Sequence, residues 1–409
     1  MRSTVSFLIG SGFSIPAGIK GVKELNARMS KINEDEILIG MDQQAMFLNG
    51  QIDNNRWSKA DERLFVQEFL KFYNSKVIPQ GDQFHYETFY DYYYGYLIGK
   101  EHKKDIEEFY KVFGQQHLKY EDNRDCHNRI ADFNRAFSQL LASILHDVKY
   151  FQDISTLNWP PYDSFIRFLG DLAKDTDVKV HLLNHDLLLD WLGNHHSSTS
   201  MSFCDGYTLA GSPYFGLVSF DFNPRTPFHV HKEYYVKLEY YAGKYDKAIC
   251  LYKLHGSIVA KKVYPFQTGN EVARIKNDYG VNGYFMEWLD KKKGEYRIER
   301  LGDDVPPDFL SGTTNKMRFY KGDPYYQNLF KYFEENLKQS HTLFVIGYGF
   351  QDPGINDYLV NYFLDQQNRM IVIDPRRPQT DLIDRFSAIH IPKSVVEVSY
   401  AEWMEFYGT

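Results

Sequence analysis

Cysteine is scarce in this chain. Cys126, Cys204 and Cys250 are the only three in 409 residues, and no two stand within four positions of each other. A structural zinc site of four cysteines is therefore excluded. A chain this long also does not need a disulfide framework, so a reducing, cytoplasmic setting is expected. Long apolar runs are missing too. No stretch of eighteen or more apolar residues occurs, so no membrane-spanning helix is expected. Met1 to Gly10 passes straight into a strand pattern, without the charged start, apolar centre and small-residue cleavage site of a secretory leader. Basic charge is not in excess: 54 acidic against 47 basic residues give a net charge of −7. A generally basic nucleic-acid coat is excluded, and no direct, sequence-specific contact with nucleic acid is expected.

What remains is a globular composition, 43% hydrophobic and 25% charged. The length admits one large domain or two to three smaller ones. Aromatic residues are abundant, with 32 Tyr, 31 Phe and 5 Trp. Tyrosine joins a large ring to a polar tip, which suits both ordinary cores and assembly surfaces.

Five short apolar runs, rich in β-branched or aromatic residues, read as strands buried on both faces: Val5–Ile9, Val178–Leu183, Cys250–Leu254, Thr342–Ile346 and Met370–Ile373. Helical spacing marks Val22–Ile32, Ala60–Phe72, Ala131–Val148 and Tyr325–Leu337. Strands alternating with helices predict an α/β fold with a Rossmann-like parallel sheet. The first two strand runs are far apart, more than a crossover helix requires. The stretch 36–177 between them reads as a mostly helical insertion, and 1–35 with 178–409 as the core domain. The segments 191–249 and 259–320 carry many turn residues and read as irregular, and Lys291–Lys293 reads as a solvated turn. Tyr86–Tyr96 holds six tyrosines on what reads as a packed helix face.

Chemistry-bearing residues follow each strand run. After the first comes Gly10-Ser11-Gly12-Phe13-Ser14, where glycines let a backbone approach a phosphate and free amides can bind the anion. It is neither a dinucleotide fingerprint, since Ile15 stands where a third glycine belongs, nor a P-loop. Asn184-His185-Asp186 follows the second run, and His255-Gly256-Ser257 the third. Gly347-Tyr348-Gly349 with Asp352, and Asp374, follow the fourth and fifth. Singly, each has a plain reading: Asn184 and Asp186 as caps, His255 as a satisfied core histidine, the glycines as turns. Together they share one address. The carboxyl ends of strands in an open α/β sheet line a single crevice, and ligands bind there. His195-His196 reads as an exposed loop, and Lys316 and Arg318, which could aid an anionic ligand, read as a solvated face.

This ordered set resembles the sirtuin superfamily, and within it the sirtuin-like NAD hydrolases of bacterial antiphage defence. Gly10-Ser11-Gly12-Phe13-Ser14 with Ala17-Gly18-Ile19 is similar to that family's first glycine motif. Asn184-His185-Asp186 is similar to its Asn-x-Asp segment, Asp205-Gly206-Tyr207 to its Asp-Gly-Phe, and Leu254-His255-Gly256 to its Leu-His-Gly. Gly347-Tyr348-Gly349-Phe350 is similar to its late glycine segment. Ser11 replaces the usual alanine, and the zinc ribbon of deacylating sirtuins is absent from the sequence. The resemblance implies an NAD glycohydrolase that releases nicotinamide and ADP-ribose as the toxic effector of abortive infection. NAD would be the substrate, and no metal is expected. By resemblance, His255 is the general base, Asn184 orients water and ribose, and Asp186 holds the ribose or the carboxamide. Gly10, Ser11, Gly12 and Ser14 would bind phosphate and ribose, and Gly347, Tyr348 and Asp374 would line the adenosine end. A homo-oligomer and a separate hexameric ATPase of the HerA type are the partners implied. The alternatives are a protein deacylase or ADP-ribosyltransferase, and a non-catalytic subunit that senses NAD or ADP-ribose.

Overall fold

The computed structural model describes residues 2–40, 44–48, 59–118, 124–145, 162–195, 203–222, 230–264, 272–276, 281–303, 308–309, 322–364 and 368–408. His196, Lys316 and Arg318 lie outside them.

The fold is α/β, built on a seven-stranded parallel sheet. Its strands run in the order Ile389–Ile391, Arg369–Ile373, Ser340–Ile346, Ser3–Ile9, Thr176–Leu182, Ile249–Lys253, Phe203–Cys204. All five apolar runs are strands of this sheet. Ser3–Ile9 lies at the centre, in register with Ser340–Ile346 on one side and Thr176–Leu182 on the other. The chain order reverses around it, so the crevice of an open α/β sheet falls beside the carboxyl end of this strand.

Both faces of the sheet are covered, which is why these strands read as unbroken apolar runs. On one face Phe7 stacks on Phe344 at 4.9 Å and meets Phe165 and Phe168 of the helix Asp163–Asp175 edge-on. Trp403, from the C-terminal helix Tyr400–Gly408, stacks on Phe168 at 5.2 Å and completes this core. On the other face, Leu8, Val345 and Tyr252 pack against the helices Pro324–Gln339 and Pro353–Tyr362. Each of those helices starts at an Asp-Pro pair: the Asp323 and Asp352 side chains accept amides of the first turn, and the proline needs no donor there.

The helices Ala60–Phe72, Tyr86–Gly99, Lys103–His117 and Cys126–Leu145 form a second core dominated by aromatic rings. Phe89 touches Tyr73, Tyr93, Phe133 and Phe137 at centroid distances of 4.6 to 5.7 Å. The tyrosine run is thus a buried helix face, with Tyr93 wholly enclosed. A small hairpin, Ile37–Ile39 with Ala45–Phe47, accompanies these helices.

In the two segments read as irregular, the described residues form strands. They build a five-stranded and a four-stranded antiparallel sheet, in which Glu295–Arg300, Val281–Asp290, Tyr214–Phe222 and Val230–Lys237 are neighbours in that order. Outer strands such as Glu295–Arg300 are largely exposed, and the buried Lys261 and Arg274 are polar, so these sheets carry charges and tyrosines in place of continuous apolar runs. Lys291–Lys293 does form an exposed turn, between the first two of these strands.

Candidate functional site

The loops at the carboxyl edge of the parallel sheet are locked together by glycine. Gly10 donates its amide to Ile346 O at 2.9 Å, and Gly12 donates to Gly347 O at 2.9 Å. A Cβ on Gly10 would stand 2.7 Å from Gly347 O, and one on Gly12 2.7 Å from Gly347 Cα. Gly347 itself has φ +59°, in the left-handed region. These glycines let two backbones touch, and the amides of Gly10 and Gly12 are used within the fold. That differs from the expected cradle of free amides at those two positions. Past them the chain makes two 3₁₀ turns, Ser11–Phe13 and Ile15–Ala17, before the helix Val22–Met29.

Beside this junction lies a cavity of about 310 Å³. Gly10, Ser11, Ser14, Asn184 and Asp186 line it, and so do His255, Gly347 and Tyr348. Gly12 and Asp374 are not among the lining residues. Gly12 backs the junction, and Asp374 accepts the Arg376 amide at 2.9 Å, capping its own turn.

Asn184 extends just beyond the Thr176–Leu182 strand, where the Leu183 amide still reaches Ile9 O at 2.9 Å. Its Nδ2 donates to Ser14 Oγ at 3.0 Å, joining the second loop to the first. Asp186 is buried, and its Oδ1 accepts the Leu188 amide at 3.0 Å, ahead of the helix Leu188–His195. Burial, the largest influence, pushes its carboxyl above the ordinary range, against the hydrogen bonds from Leu188 and Ser14 and the charge of Lys253. Lys253 is itself buried and ion-paired to Asp190 at 2.7 Å.

His255 is only 5% exposed. Gly256 behind it turns with φ +81°, and the amide of Ser257 is held by Asp308 O at 3.2 Å. The imidazole Nε2 lies 3.3 Å from Asp352 Oδ2. The His185 ring stands 6.1 Å away, packed in turn on Phe309. The Tyr348 hydroxyl donates to Asn356 Oδ1 at 3.0 Å and accepts the Asp352 amide at 3.2 Å. Burial pushes that phenol well above its ordinary range.

Lys20, Tyr86 and Glu87 line the cavity with no site role in the sequence reading, and Asp352, named there with the late glycine segment, joins them. Asp352 carried a local signal, the Asp-Pro start of a helix. Tyr86 and Glu87 come from the helical region, and no local pattern announces that they reach the sheet edge. Asp205, Gly206 and Tyr207 line a different, polar cavity of about 830 Å³. There Asp205 is ion-paired to Lys276 at 2.9 Å. Among the described residues, no cluster of three or more His, Cys, Asp or Glu could hold a metal ion, and no helix is long and apolar enough to cross a membrane.

The cavity therefore combines imidazoles, side-chain amides, hydroxyls and charges of both signs. Such a lining can orient a polar substrate that carries both positive and negative charge.

No family model matches the chain, and no curated protein does. Among solved structures, the chain is similar to one described as giving the structural basis for the mechanism and regulation of Sir2 enzymes. The identity is 11% and the TM-score 0.38, over 100% of this chain and 94% of that one. It is similar to Sir2Tm bound to a propionylated peptide at 10% identity and TM-score 0.35, over 100% and 94% of the two chains. It is also similar to a Sir2 homolog–NAD complex at 10% identity and TM-score 0.35, over 99% and 89%.

Proposed function

We propose that the chain is an NAD glycohydrolase acting in the cavity at the edge of the parallel sheet. One observation carries this reading: Asn184, Asp186 and His255, on loops distant in sequence, line one cavity with Ser11 and Ser14. NAD joins a cationic nicotinamide ring to an anionic pyrophosphate. The lining offers carboxylates at Asp186, Glu87 and Asp352, and a cation at Lys20 with hydroxyls at Ser11 and Ser14.

The reaction breaks the bond between nicotinamide and ribose. Nicotinamide leaves with the electron pair as a neutral ring, and positive charge develops on the sugar. Water forms the new bond to that carbon, and its proton passes to His255. Asn184, oriented by Ser14, directs the water and the ribose, and Asp186 holds the ribose or the carboxamide. The sequence resemblance extends the proposal to a toxic effector of antiphage defence, held inactive until infection. It would act as a homo-oligomer beside a separate HerA-type ATPase.

The test is nicotinamide release from NAD by the purified protein, alone and with its neighbouring gene product. Asn184→Ala and His255→Ala should each lower turnover by about 10²–10⁴-fold with circular dichroism unchanged. Undiminished release in both variants would falsify the assignment.

A further inference from the structure

Asp352 does two things at once. Its Oδ1 accepts the amides of Gly354 and Ile355, at 2.9 and 3.2 Å, and so starts the helix Pro353–Tyr362. Its Oδ2 lies 3.3 Å from Nε2 of His255, a residue nearly a hundred positions earlier. A carboxylate that only capped the helix would need just one of these oxygens. The second is presented to an imidazole that lines the same cavity.

The carboxylate is also held from behind. The Asp352 amide donates to the Tyr348 hydroxyl, which donates onward to Asn356. Asn356 in turn donates to Phe350 O at 2.9 Å, and Phe350 has φ +56°. The turn that carries Asp352 is thus fixed by its own side chains before it meets His255.

We propose that Asp352 is the positioning residue of His255: it fixes the ring against the cavity wall and favours the imidazole that has taken up a proton. This deepens the hydrolase reading and rests on it for the catalytic consequence. The contact with His255 stands on geometry alone. Nε2 of the buried ring lies within ion-pair distance of the carboxylate, so a protonated imidazole sets its positive charge beside Asp352.

Other charged and titratable groups surround the ring. From the loop after Thr176–Leu182, the His185 ring stands 6.1 Å away and Asp186 lines the same cavity. Lys253, on its own strand, is committed to Asp190. Asp308, whose backbone holds Ser257, is committed to Arg274 at 2.5 Å. Asp352 brings a carboxylate oxygen within 3.3 Å of an imidazole nitrogen.

Asp352→Asn separates the two duties. Asparagine caps a helix about as well as aspartate, so the fold is retained, while the charge is lost. The first measurement is the titration of the His255 resonance by NMR in the full chain labelled at histidine, assigned with His255→Gln. Asp352→Asn should move the midpoint down by about one pH unit, because an opposite charge at this distance favours the protonated ring. An unchanged midpoint overturns the proposal, whatever the enzyme does.

The second measurement is the pH dependence of nicotinamide release. Asp352→Asn should shift the acidic limb of kcat/KM the same way and lower kcat about tenfold, with KM little changed. A purely structural role predicts wild-type profiles for Asp352→Asn and a lowered melting temperature for Asp352→Ala, and that result also overturns it. If wild-type protein releases no nicotinamide but the midpoint moves as stated, the hydrolase reading fails and the coupling of the two side chains stands.

Discussion

The central strand of the parallel sheet and the edge strand of the outer four-stranded sheet are buried in opposite ways. In Ser3–Ile9 every residue after the first is buried. In Glu295–Arg300 all but one are exposed. The first sheet lies between helices on both faces, and its strand ends converge on a cavity. The second turns one face to a small core around Leu238, Val263 and Tyr284 and leaves Tyr296 and Ile298 outside. Two-sided burial leaves no freedom in where a strand ends, so the loops that follow it are positioned tightly. That is the condition a site built from several loops needs.

The sharpest way to break this comparison uses two glycines with similar backbone angles. Gly347 has φ +59° and Gly294 has φ +68°. A side chain at Gly347 would meet the backbone of Gly12 and Phe13, whereas at Gly294 nothing lies within 4 Å. Both substitutions incur the left-handed penalty of about 1–2 kcal/mol. Gly347→Ala adds overpacking of about 1–3 kcal/mol. In urea denaturation Gly347→Ala should lose about 2–5 kcal/mol and Gly294→Ala about 1–2 kcal/mol. Equal losses would mean that the loop junction is no tighter than a surface hairpin.

A smaller effect comes from a histidine inside the parallel sheet. His181 is fully buried between the rings of Tyr252 and Phe333, at centroid distances of 5.0 and 4.6 Å. Burial, with the charge of Lys179, pulls it down to about 3. The unfolded chain takes up this proton near pH 6.5. Between about 6.5 and about 3 the unfolded state therefore holds more protons, and stability falls as the pH drops through that window. Urea midpoints at pH 7, 6 and 5 should show a contribution of up to about 1.4 kcal/mol per pH unit. His181→Leu should flatten it. A slope that persists unchanged in His181→Leu would assign the acid sensitivity to other groups.

The same difference in burial explains what was legible in the sequence. Val5–Ile9 or Thr342–Ile346 could be read as strands because helices on both faces demand apolar residues at every position. The position of Asn184, His255 and Gly347 after such runs then placed them at one edge, and the cavity collects them there. Val230–Lys237 and Glu295–Arg300 were opaque because their outward residues are free to be Lys, Glu or Arg, and the nearby turn residues spoke louder. Within the site, the phosphate-cradle reading of Gly10 and Gly12 missed that close packing also demands glycine. Glu87 could not be found at all, since its place in the wall depends on how a separate aromatic core docks.

The smallest expected effect lies on the outer sheet. Ile298 is 55% exposed and stands opposite Glu287, beside the Leu289–Tyr296 pair, whose members are 43% and 71% exposed. Ile298→Thr keeps the β-branch that suits a strand and removes only half-solvated apolar surface. In urea denaturation at low protein concentration the change should stay within about 0.5 kcal/mol. The comparison is sharpened by repeating the measurement at high concentration. A loss that grows with concentration would mean that another molecule covers this face in solution. The outer sheet would then be buried on both sides after all, by association in place of folding, and its charged strands would have to be read as an interface.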